Sequence, residues 1–165
     1  MLVRYLDRDE FRIVHVSIQE NHFHFLMEAS GREALANGMR SLAISLARAV
    51  NRALGSHGTV FAHRYHVTQI RTARQARNSL AYVLNNWRKH RQDFANGRML
   101  TDRLDPYASG LAFDGWCEDG VDAVAFALPA DYVPLPVSPP RTALLRSEWK
   151  RFGLIDVLEC PGPIV

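Results

Sequence analysis

The sequence predicts an α+β domain, an antiparallel sheet with two main helices packed on it, followed by an irregular, proline-rich C-terminal extension. Three observations carry this. Residues 11–28 read as two neighbouring runs of strand-forming residues. Residues 33–54 and 72–94 carry apolar side chains at three- and four-residue intervals, the spacing of one helix face. Five prolines fall between Pro129 and Pro140, a density that no regular helix or central strand accepts.

The first run, Phe11 to Ile18, is rich in β-branched residues. After a break at Gln19-Glu20-Asn21 the second, His22 to Glu28, places aromatics at alternate positions, so the pair reads as a hairpin. Leu35, Met39, Leu42, Leu46, Ala49, Val50 and Ala53 then mark the inner face of a helix that ends near Gly55. Gly55-Ser56-His57-Gly58 is a loop, and Thr59 to Ile70 reads as a further strand, best defined over Tyr65 to Ile70. A second helix is expected from Thr72 to Phe94, stopped by Asn96-Gly97. Beyond residue 104 turns alternate with isolated aromatics, Arg141 to Gly153 reads as a short closing helix, and Pro161-Gly162-Pro163 as a loose end. The expected division is therefore residues 1–103 and an extension over 104–165.

No stretch has the roughly 18 to 20 apolar residues of a membrane span, and Met1 to Asp7 lacks the apolar core of a signal peptide, so a cytoplasmic location is expected. Cys117 and Cys160 are far apart and outside any metal-type spacing, which predicts reduced thiols. Charge is segregated: residues 32–103 hold thirteen Arg or Lys against three acids, while the flanks hold seven against fourteen. Eighteen of the twenty basic residues are arginine, whose planar fork grips phosphate and stacks on bases, so the middle of the chain is where a polyanion is expected.

Side chains two apart on a strand share a face, so His22 and His24 project together while Phe23 and Phe25 point to the other side. Adjacent imidazoles suit a divalent ion, although paired histidines also serve purely structural ends. On the second helix Tyr82, Asn86 and Lys89 fall in one sector, opposite a core face of Leu80, Val83, Leu84 and Trp87. A phenol with a carboxamide four residues later has the chemistry of a nucleophile beside a metal ligand, and also that of a solvated stripe; facing the two histidines is what would decide between them.

Taken in order, Glu20-Asn21-His22-Phe23-His24-Phe25-Leu26-Met27-Glu28, Val50-Asn51-Arg52, Phe61-Ala62-His63-Arg64-Tyr65-His66 and Ala81-Tyr82-Val83-Leu84-Asn85-Asn86 resemble the REP-associated tyrosine transposases of the HUH superfamily, over about residues 11–95. The resemblance implies a ferredoxin-like sheet, with His22, His24 and Asn86 as ligands of a divalent metal ion (Mg²⁺ or Mn²⁺) and Tyr82 as nucleophile. It implies cleavage and rejoining of single-stranded or hairpin DNA through a 5′-phosphotyrosine link. Lys89, Arg64, Arg71, Arg74 and Arg77 are the candidate phosphate contacts.

Only about twenty residues precede His22, so the family's first strand and helix are expected to be missing, through a misassigned start or a truncated copy, which would leave backbone donors unpaired at an edge or gap and favour dimerisation, rearrangement or instability. Trp87 stands where the family commonly has proline, which predicts that the helix continues past Asn86. Two rivals make different predictions. A decayed or domesticated relative binds hairpin DNA without cutting it. An RNA-binding module using Phe23, Phe25 and the arginines binds without regard to metal.

Overall fold

The computed structural model describes residues 8–95, 97–101, 103–117 and 132–162. Residues 1–7, Asn96, Pro129 and Pro163, on which the readings of a missing leader, the helix stop, the start of the proline-rich stretch and the loose end draw, lie outside them.

The predicted hairpin is formed by β1 (Phe11–Ile18) and β2 (Phe23–Ala29), paired antiparallel from Phe11–Ala29 to Ile18–Phe23. A register shift between Ile13 and His15 makes Val14 an extra residue, a bulge that turns Val14 and His15 toward one side and Val16 and Ile18 toward the other. Each face then meets a different helix. On one side Phe11, Ile13 and Val16 pack with Leu42 and Leu46 of α1 (Arg32–Leu54), joined by Phe23, Phe25 and Met27. Gly38 lets α1 approach closely, because a Cβ there would lie 2.2 Å from the Phe11 ring. Gly55 ends the helix in the left-handed conformation that glycine adopts without strain.

On the opposite face Val14 and Leu26 pack against α2 (Ala73–Leu84). Thr72 starts α2 with a complete capping box, its hydroxyl accepting from the Gln75 amide while Gln75 reaches back to the Thr72 amide. The helix does not run to Phe94 as periodicity predicts. It breaks at Asn85, whose Nδ2 donates to the Asp156 carbonyl at 2.9 Å, and resumes as the short α3 (Asn86–Lys89). A small hairpin of β3 (Phe94–Ala95) and β4 (Arg98–Met99) follows.

Residues 59–70, read as a strand, are irregular. Tyr65 and Val67 are exposed, and among the described residues no strand pairs with the outer edge of β2. Without a neighbour to complete its backbone hydrogen bonds, strand propensity alone does not make a strand.

The extension is irregular but closely packed. Trp116, Trp149, Ile155 and Val157 share one core with Leu80, Val83 and Leu84 of α2. In place of one closing helix there are α4 (Ala143–Arg146) and a 3₁₀ turn over Glu148–Phe152. The extension also closes the outer edge of β1: the Ile18 amide donates to the Tyr107 carbonyl at 2.8 Å and the Ser138 amide to the Ile13 carbonyl at 2.8 Å. The edge expected to be open is thus partly filled from the same chain. The α+β class is as predicted; of the expected ferredoxin-like sheet the described residues hold the antiparallel pair, and the two main helices pack on its opposite faces. No helix among the described residues is long and apolar enough to cross a membrane.

Candidate active site

His24 and Leu26 on β2, with His22 just ahead of the strand, alternate toward α2, and Leu26 anchors that face in the core. The Nε2 atoms of His22 and His24 stand 2.9 Å apart, with the rings nearly perpendicular. Asn21 Oδ1 lies 2.7 Å from His22 Nδ1. A carboxamide oxygen only accepts, so this contact puts the proton on Nδ1 and leaves the His22 Nε2 lone pair facing His24.

Burial pushes the His24 pKa down to about 4, reinforced by the neighbouring His22, His90 and Lys89, and burial with His90 also lowers that of His22. Both rings are therefore neutral near pH 7, the form that donates to a metal. Two imidazole nitrogens bound at right angles to one ion, with bonds of about 2.1 Å, stand about 3.0 Å apart, so the pair fits a shared divalent cation.

Tyr82 reaches this pair from α2. Its ring meets that of His24 edge-on at 5.0 Å between centroids, and Lys89 Nζ lies 4.4 Å from the Tyr82 ring centre. His90, one residue on, brings its ring to 5.9 Å from His22. The spacing that put Tyr82 and Lys89 on one side of the helix thus turns that side toward the imidazoles, across the break at Asn85.

Asn86 is not on an exposed stripe. Its side chain is fully buried, and neither Oδ1 nor Nδ2 has a hydrogen-bond partner among the described residues. An unpaired buried amide group costs about 1–3 kcal/mol, and its oxygen is of the hard type that a divalent ion takes. Among the described residues Asn85 Oδ1 and Trp87 Nε1 are unpartnered too, so the property belongs to the helix break as a whole. Among the described residues no group of three or more His, Cys, Asp or Glu is placed to hold an ion.

The arginines divide. Arg64 is exposed on the irregular stretch, and Arg71 is exposed with its guanidinium on Gln69 Oε1. Arg74 is exposed and stacks on Phe152 at 5.1 Å. Arg77 makes a two-pronged ion pair with Glu159 and donates to the Leu154 carbonyl, an intramolecular engagement that leaves little of its fork for phosphate. The arrangement brings together His22, His24, Tyr82 and Lys89; contacts to that group from Arg64, Arg71, Arg74 or Arg77 are absent among the described residues.

Sequence reading missed two members. His90 lies eight residues after Tyr82, close to the same helical stripe, and that spacing was the available signal. Asn21 was visible in the motif, but its role in fixing the His22 proton needs the coordinates.

A sequence model of the family described as "Transposase IS200 like" matches residues 1–86, a stretch that includes both histidines, Tyr82 and Asn86. Searches of curated proteins and of solved structures gave no match. The matched stretch is more than half of the chain and covers both helices that flank the hairpin, and the chain therefore belongs to the IS200-like transposase family.

Proposed function

We propose that the chain cleaves and rejoins single-stranded DNA, with Tyr82 as nucleophile and His22, His24 and Asn86 as ligands of Mg²⁺ or Mn²⁺. The observation that carries this reading is the approach of the Tyr82 ring to His24 within the imidazole pair. A bound divalent ion would supply a positive centre against the charge that builds on the phosphate oxygens.

Tyr82 Oη forms a bond to phosphorus as the bond from phosphorus to the 3′ oxygen breaks. The proton lost by the phenol is balanced by the one gained by the departing 3′-hydroxyl, and the DNA 5′ end stays on the tyrosine. The phosphotyrosine ester keeps the energy of the original bond, so an incoming 3′-hydroxyl reverses the step and joins a different strand. Lys89, held on the Tyr82 ring, sets a cation beside the nucleophile, where it would steady the scissile phosphate. Hairpin-forming repeats as target, a homodimer as the working form and association with the nucleoid belong to the same proposal.

The test is a labelled hairpin oligonucleotide with flanking single strand, incubated with Mn²⁺ or with chelator and run on a denaturing gel. A protein–DNA adduct that forms with Mn²⁺ and disappears in Tyr82→Phe is expected. Binding of the hairpin without any adduct would instead identify a relative that holds DNA and does not cut it.

A further inference from the structure

Between Glu33 and Asp93 the chain contains no acidic residue. Surface helices ordinarily interleave acids with bases, which gives favourable pairs three and four residues apart. The exposed side of α1 lacks them: Arg40, Ile44, Arg48 and Arg52 follow one another at four-residue steps, and all four are exposed. The three guanidiniums make no ion pair among the described residues. At a rise of about 1.5 Å per residue they span roughly 18 Å of helix. Arg52 sits in the last turn, where a cation suits the helix C-terminus, but Arg40 and Arg48 stand in the helix interior and gain nothing of that kind.

The stripe lies on the far side of the sheet from the tyrosine. Leu42 and Leu46 pack α1 on the Phe23 and Phe25 face of β2, while His22, His24 and Tyr82 occupy the other. The linker from Gly55 to Thr72 has to cross between the two faces. The outer edge of β1 is taken by residues 107–109 and 138, and Phe61 in the linker lies 6.2 Å from Phe23, so the crossing is at β2. His63, Arg64, Tyr65 and His66, all exposed, follow Phe61 there. Arg64 thus adds one exposed guanidinium three residues beyond Phe61, next to Tyr65, an exposed aromatic on which a base could stack.

We infer that the outward face of α1, through Arg40, Arg48 and Arg52, is a second DNA-binding surface that holds the phosphate backbone of duplex DNA on the side of the sheet opposite Tyr82. Its role as an anchor for substrate cut elsewhere rests on the proposed tyrosine chemistry; its binding of duplex does not. The contact is to phosphate, so it is independent of sequence and strongly salt-dependent.

The test measures fluorescence anisotropy of a labelled duplex against salt concentration, with the full chain and its Arg40→Gln/Arg48→Gln/Arg52→Gln variant. Loss of three phosphate contacts predicts a salt slope lower by about 2 to 3 and affinity reduced at least about tenfold near 0.1 M salt. Adduct formation on a short oligonucleotide with no duplex part should be unchanged. An unaltered slope overturns the inference. So does joint loss of duplex binding and of that short-substrate reaction with an unchanged melting curve, since the arginines would then serve the tyrosine site. A measurement on the unmutated chain needs no variant to fold: duplex should protect Arg40, Arg48 and Arg52 from dicarbonyl modification read by mass spectrometry, and equal modification with and without DNA overturns the inference. Duplex binding by a chain that forms no adduct on any substrate would leave this surface standing and defeat the tyrosine mechanism.

Discussion

His15 lies on β1 with Nδ1 3.0 Å from Ser109 Oγ, and burial pushes its pKa down to about 4. Near the ordinary value of 6.5 the unfolded chain takes up this proton first, so the stability His15 contributes is complete above pH 6.5 and is lost as pH falls toward 4. The loss is on the order of 3 kcal/mol. Asp105 acts in the opposite sense. Burial raises its pKa to about 6, so the carboxyl is most compatible with the fold below its ordinary 3.8, and its charge weakens the fold as pH rises toward 6. Asp105→Asn keeps an oxygen to accept from the Tyr107 amide and removes the buried charge. Urea unfolding should show it more stable than the parent by about 1–3 kcal/mol at pH 7.5, with no gain at pH 3.5. Equal effects at the two pH values would contradict this account of the carboxyl. At the site itself, His22→Ala and His24→Ala should each abolish Mn²⁺ binding in titration calorimetry. Asn21→Ala, which frees the His22 proton, should weaken it by about 10- to 100-fold. The imidazole pair and Tyr82 were legible because strand alternation and helical spacing are local rules. The burial of Asn86 was not, because it depends on the Asn85 side chain finding the Asp156 carbonyl far along the chain.

At the scale of elements, α2 carries Tyr82 and α3 carries Lys89, and both helices depend on contacts remote in sequence. Arg88 on α3 is buried, paired with Asp93 at 3.0 Å and donating to the carbonyls of Leu100 and Val157. Removing the guanidinium leaves Asp93 charged and buried, so Arg88→Met should cost about 3–5 kcal/mol in chemical unfolding. A change below about 1 kcal/mol would mean that the pair does not hold α3. On the other face, Gly38→Ala drives a methyl into the Phe11 ring and should lower stability by about 1–3 kcal/mol. Helix α1 could be read from periodicity, since it packs one face on a single core, and the hairpin from its two runs of strand-forming residues, although both faces of β1 are buried. The 59–70 stretch has the residues of a strand, yet Tyr65 and Val67 face solvent because no neighbour pairs with it among the described residues.

For the molecule as a whole, the C-terminal extension completes the structure that presents Tyr82. Its aromatics have no period to betray them in sequence, yet Trp149 is almost wholly buried and stacks on Phe113, and Trp116 joins Phe113 edge-on in the same core. Cutting the chain after residue 103 would expose Leu80, Leu84 and Val83, so the 1–103 fragment should lack a cooperative thermal transition that the full chain shows. The sheet stands between two surfaces, the histidine–tyrosine side and the arginine side of α1. Under the proposed function, the covalent chemistry of Tyr82 joins them. Trypsin cleaves after Arg77 and Arg88, and Tyr82 is the single tyrosine in the peptide between them. After reaction with a single-stranded oligonucleotide and Mn²⁺, nuclease trimming and mass spectrometry of that digest should find a 5′-phosphonucleotide on Tyr82. An unmodified peptide alongside a nucleotide on another residue, or cleaved DNA with no nucleotide on the protein, would contradict the account.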